Sequence, residues 1–155
     1  MKHLLIKFAA LFFVLSLSLS ACSSNDDGAI TNDIVKIKIE TNVKSGTFRI
    51  TKFIDSGKDE TTHFTGYNFT FGPSNVLTAT NGTNTYTGTW SITNSSSSSS
   101  GSQNDLDFNI MFTSPPDFEE LSDDWDFISQ TSSKIELIDI SGGNGGTDYL
   151  TFQKN

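Results

Sequence analysis

Beyond residue 21 the chain carries one histidine, His63. A single imidazole builds neither a Ser-His-Asp triad nor a multi-histidine metal site. Set among Thr and Phe, it reads as structural. Serines are abundant, but none sits in the Gly-x-Ser-x-Gly setting that exposes a nucleophile. The lone cysteine, Cys22, permits no intrachain disulfide, so the core alone must hold the fold. The acids are the remaining chemistry. Residues 105–126 hold eight Asp/Glu and no Lys or Arg. Glu119, Glu120, Asp123, Asp124 and Asp126 offer the oxygen ligands that calcium takes, but no EF-hand spacing is present. Asp55-x-Gly57-x-Asp59-Glu60 is a faint echo of a calcium loop. A solvated acidic face is the favoured reading, and no specific metal is expected. Acid pairs are too common here to single out a glycosidase dyad. The stretch from Ser141 to Asp148 is glycine-rich but lacks the Lys and following helix of a P-loop. A hairpin loop explains it better. The expectation is a protein without catalysis, metal or cofactor.

Aromatic side chains are the other candidate machinery. Tyr67, Phe69, Phe71, Trp90, Phe108 and Phe112 sit at strand positions that share faces. They could line a pocket for a small apolar ligand or fill the core. An eight-stranded barrel has room for side chains or for one small ligand, but not both. Burying each Phe contributes roughly 1.5–3 kcal/mol, which favours filling.

These residues need walls to hold them. Residues 22–155 contain 19 Thr and 15 aromatics but only two Ala and five Leu. That composition suits half-buried pleated surfaces and is poor in helix formers. Period-2 alternation and turn residues predict strands at 47–54, 62–71, 76–80, 85–92, 105–112, 125–130, 134–140 and 148–153. An irregularity is expected at Gly66, because Phe64 and Tyr67 are an odd number of residues apart. Eight strands joined mostly by short turns predict an all-β, up-and-down antiparallel barrel. One short helical turn is expected near Pro115–Leu121, with Pro at its start and acids in its first turn. Residues 34–43 alternate like a strand, yet they also fit a short helix closing one barrel end. Their Val and Ile content favours the strand. Residues 94–104 are serine-rich and read as a solvated hairpin loop.

The chain has 155 residues, 18 Asp+Glu against 10 Lys+Arg, and a net charge of -8. Its length suits one domain. Its charge repels phosphates, so nucleic acid is not an expected partner. Lys2, His3 and Lys7 precede an apolar stretch at 8–19, the pattern of a secretory signal too short to span a bilayer permanently. Leu19-Ser20-Ala21-Cys22 then matches the lipobox of bacterial lipoproteins. The expected division is a signal peptide at 1–21, a lipid-anchored tether and N-terminal segment at 22–42, and a barrel domain at 43–155. Acyl chains on Cys22, palmitate among them, would make the membrane a partner, since several chains anchor stably where one does not. Ser23 in place of Asp favours the outer membrane. Ser23-Ser24-Asn25-Asp26-Asp27 resembles the acidic tether of surface-exposed lipoproteins. A monomer is expected.

Five segments together resemble small bacterial lipoproteins with a lipocalin-like domain. They are Gly46-Thr47-Phe48-Arg49-Ile50, Phe64-Thr65-Gly66-Tyr67-Asn68-Phe69, Gly88-Thr89-Trp90, Leu121-Ser122-Asp123-Asp124-Trp125, and Ser141-Gly142-Gly143 through Asp148-Tyr149-Leu150-Thr151-Phe152. The resemblance covers about residues 43–155. It implies an eight-stranded, calycin-like barrel on a lipid anchor and implies no activity. True lipocalins are less similar. Their first-strand Gly-x-Trp is Gly46-Thr47-Phe48 here, and their late Arg has no counterpart, because Arg49 is the sole Arg.

Overall fold

The computed structural model describes residues 27–95, 106–141 and 146–155. The expectations for the signal peptide and Cys22, for most of the serine-rich loop, and for the centre of the glycine-rich loop lie outside them.

Among the described residues nine strands are formed: β1 (Thr47–Asp55), β2 (Lys58–Asp59), β3 (Asn68–Phe71), β4 (Val76–Thr80), β5 (Thr85–Asn94), β6 (Leu106–Met111), β7 (Asp123–Gln130), β8 (Lys134–Ile140) and β9 (Thr147–Lys154). Every pairing is antiparallel. The order is β1-β3-β4-β5-β6-β7-β8-β9, and β9 returns to β1 through Phe48↔Lys154, Ile50↔Phe152 and Phe53↔Leu150. β2 is a two-residue ribbon on β1. The fold is therefore a closed eight-stranded up-and-down barrel, as the alternation predicts.

Closure leaves no exposed edge on the staves, and exposed edges invite aggregation. β6 shows how the pattern sets the wall. Leu106, Phe108 and Ile110 point inward and are buried, while Asp107 and Asn109 face out. β5 needs Gly88 because its neighbour comes close. A Cβ there would collide with the Met111 carbonyl oxygen and the Phe112 ring.

Three expectations are corrected. First, residues 34–43 are not a strand. They belong to α1 (Asp27–Lys44). The inward positions are Val35, Ile39 and Val43. A spacing of four is a multiple of the strand period and also nearly one helical turn, so the pattern fits both. Ile37, which a strand would bury beside Val35 and Ile39, is 64% exposed. β1 already pairs with β9 along its length and with β3 at its start, so the barrel closes without this segment. The Glu40–Lys44 ion pair, one turn apart, is the ordinary companion of the helix.

Second, the strand expected at 62–71 is shortened to β3. Thr61–Phe64 form a 3-10 turn, and Gly66 takes φ 84°, a left-handed conformation that glycine adopts without penalty. The odd spacing of Phe64 and Tyr67 marks this break. Third, β7 starts at Asp123, two residues before the expected 125, so Asp123 and Asp124 are wall residues. The helical turn at 115–121 is present as α2 (Pro116–Glu119).

Both ends of the barrel are plugged. α1 packs against β3 and β5 and buries Ile39 and Val43 at the end where β1 begins. At the opposite end the 3-10 turn contributes Phe64 and α2 contributes Phe118. The two rings meet edge to face, with centroids 5.2 Å apart.

Candidate functional site

The six aromatics expected to line a pocket or fill a core are all buried. Phe71 lies at the centre of one group, with ring centroids 5.5 Å from Trp90 and 5.4 Å from both Phe108 and Phe152. Tyr67, Phe69 and Phe112 belong to a second group. They surround Phe118 at 5.1, 6.1 and 5.2 Å. Phe69 and Phe152 join the two groups at 5.4 Å. Most of these pairs are edge to face, the arrangement that ring quadrupoles prefer. The rings that would line a cavity are in contact with one another.

Polar chemistry collects at the α2 end. β1 turns at Ser56-Gly57 into β2, and the chain then folds back on β1. Glu60 N–H donates to the Phe53 carbonyl at 3.0 Å, and Phe53 N–H donates to Thr61 Oγ1 at 2.8 Å. Asp59 Oδ1 accepts from Thr61 N–H at 3.0 Å. His63 N–H then donates to the Glu60 carbonyl at 3.0 Å, opening the 3-10 turn. In such a turn residues i and i+3 eclipse, so Glu60 and His63 project to the same side. α2, anchored by Phe118, delivers Asp117 and Glu120 to that side.

The Glu60 carboxylate is 5% exposed. One oxygen pairs with the Lys58 ammonium. The other, Oε2, is buried without a hydrogen-bond partner and lies 3.8 Å from His63 Nδ1. The same ring nitrogen is 4.0 Å from Asp117 Oδ1. One ligand atom each from Glu60, His63 and Glu120 falls within 4.8 Å of the others. The hydrogen-bonded Lys58 ammonium holds Glu60 below the usual carboxylate range. Glu120 moves the other way, up to about 6, first because its carboxyl lies against that of Glu60 and then through partial loss of water.

The sequence kept these residues apart. His63 read as structural, Glu60 belonged to a faint calcium-loop echo, and Glu120 belonged to the acidic block. The Glu60-x-x-His63 spacing was the available signal. The block itself divides in the structure. Asp123 and Asp124 sit in β7 opposite Ile110 and Asn109, and Asp126 lies opposite Asp107. Glu120 leaves them for the barrel end.

A groove of about 640 Å3 runs along the outer wall, bordered by Asn75, Thr89, Ser91, Asn109, Met111 and Asp124 among others. Asp123 lies at its edge.

No family model matches the chain, and no curated protein does. It is similar to a DUF4847 family protein from Bacteroides vulgatus ATCC 8482, whose crystal structure was solved at 1.00 Å resolution. The identity is 19% and the TM-score 0.47, covering 76% of this chain and 97% of that one.

The wall around the groove has a measurable pH signature. Burial pushes the Asp123 carboxyl up to about 6, and the nearby Asp124 and Asp139 add to the rise. The backbone hydrogen bond from Asp124 N–H, at 2.8 Å, opposes it only in part. A carboxyl with a raised pKa binds its proton more tightly in the native state than in the unfolded state. Its contribution is fully present below the unfolded value near 4 and is lost as pH rises through about 6. Asp123→Asn keeps the acceptor and removes the titration. It should stabilise the protein at pH 7.5 by about 1–2 kcal/mol, allowing for solvent screening, and leave stability at pH 4 nearly unchanged. Urea unfolding at the two pH values checks this. An equal effect at both would rule out Asp123 titration as the cause.

Proposed function

We propose that this protein is a lipid-anchored outer-membrane lipoprotein. On this reading its side-chain-filled barrel is a structural or protein-interaction module of the cell envelope, with no catalysis of its own. The observation that carries the reading is the order of residues 2–22: a basic start, an apolar stretch and Leu19-Ser20-Ala21-Cys22. Among the described residues no helix is long and apolar enough to cross a membrane. On this reading attachment rests on acylated Cys22. α1 packs on one end of the barrel, and Glu60, His63 and α2 occupy the other. The ring contacts favour a filled module over a carrier. An apolar ligand inside would have to separate Phe71 from Phe108, or Phe118 from its neighbours.

The test is incorporation of labelled palmitate in the producing cells. The parent chain should take up label and sediment with the outer-membrane fraction. Cys22→Ala should take up none. An unlabelled parent, or equal labelling of the variant, would remove the lipoprotein assignment.

A further inference from the structure

We propose that Glu60, His63 and Glu120 bind one divalent transition-metal ion of zinc-like preference, through two carboxylate oxygens and the His63 Nδ1. The sequence alone points to no metal, because Glu60 and His63 lie far along the chain from Glu120. The fold brings them together from three places: the end of the β2 ribbon, the 3-10 turn, and the residue after α2.

Two independent observations support the site. The first is convergence. One donor atom from each residue lies within 4.8 Å of the other two. Bonds of about 2.0–2.2 Å place neighbouring ligand atoms roughly 3–3.5 Å apart, so the group must close by about an ångström. The side chains that must move are those free to do so. His63 is 37% exposed and Glu120 is exposed, whereas Glu60 is held by Lys58. The second is the unpartnered Oε2 of Glu60. Its side chain is buried, and this oxygen points at His63 Nδ1 from 3.8 Å. Buried polar atoms are nearly always satisfied, and one that is not requires an explanation. A cation between Oε2, the imidazole and Glu120 supplies the missing partner.

Charge and ligand type narrow the ion. Glu60, Glu120 and Asp117 outweigh Lys58, so the local field attracts cations. Calcium prefers six to eight oxygens, and an imidazole nitrogen is a poor substitute. One nitrogen with two carboxylates suits zinc and its first-row neighbours. The three residues leave further positions open to water on the solvent side.

The test uses the full, tag-free chain in mild detergent, titrated calorimetrically with zinc chloride, with calcium and magnesium chlorides as controls. One zinc per chain is expected. His63→Ala and Glu120→Gln should each weaken zinc binding at least about tenfold, the effect seen even for outer partners of metal ligands. Asp124→Asn, of equal charge change but on the outer wall, should leave it unaltered. Both altered ligands are solvent-exposed, and circular dichroism verifies the fold. A second readout needs no variant: zinc should shift the imidazole NMR signals of His63, and calcium and magnesium should not. The proposal is overturned by no saturable zinc binding, by parental affinity in His63→Ala, by unmoved His63 signals, or by calcium binding more tightly than zinc.

Discussion

Trp90→Ala should destabilise the barrel by about 3–5 kcal/mol, the range for removing a large buried aromatic. Trp90 is 3% exposed. It stacks on Phe108 at 6.1 Å and meets Phe71 edge to face at 5.5 Å. Lys44 of α1 places its ammonium 5.4 Å from the ring centroid, so the indole also links the helix to the barrel. Its Nε1–H donates to the Gly72 carbonyl at 3.1 Å. Truncation therefore opens a cavity and removes a donor from a carbonyl acceptor. Trp90→Phe keeps most of the burial and loses the hydrogen bond, so it should cost only about 1–2 kcal/mol. Urea unfolding followed by the fluorescence of Trp125 measures both variants. A loss below half a kcal/mol for the alanine variant would place Trp90 outside the core.

Phe118→Ala should cost a similar amount, about 3–5 kcal/mol, from a helix of only four residues. Such a helix has no stability of its own. Phe118 holds it by contacting Phe64, Tyr67, Phe69, Tyr86 and Phe112, with centroids between 4.7 and 6.1 Å. The loss should be local as well as global. Amides at 117–122 should exchange with solvent much faster in the variant, while those of β8 and β9 keep their relative protection. If the variant loses less than about 1 kcal/mol, or if exchange rises evenly over the barrel, Phe118 is not the plug of that end.

Much of the wall was legible because its signal is local. β4 and β8 match the expected 76–80 and 134–140, and β6 falls within 105–112. In each, alternate residues answer to one buried face, a relation that neighbours in sequence fully specify. The short helix after Pro115-Pro116 was legible for the same reason. Residues 34–43 were not, because Val35, Ile39 and Val43 satisfy both periods at once. The Gly66 break was marked by odd spacing, but its length was not. The 3-10 turn forms where Thr61 and Glu60 bond back to Phe53, an arrangement that depends on β1 already being in place.

By itself, then, the sequence determined the β-rich wall, its inward residues and the acidic excess, and it carries a basic, apolar and cysteine order at the start. All of these rest on composition or on spacing within a few residues. The tertiary structure decided three things that such spacing cannot carry. Pairing of β9 with β1 closed the sheet without residues 34–43, which form part of a helix over one end. Packing of Phe118 among five rings settled how the other end is sealed. The register of the intervening strands brought Glu120 to Glu60 and His63, while Asp124 and Asp126 from the same acidic run went to the outer wall and Asp123 took the inward side of β7 beside Ile110. A chemical cluster drawn from distant segments exists only once the long-range contacts are made, because no local interaction holds its members together.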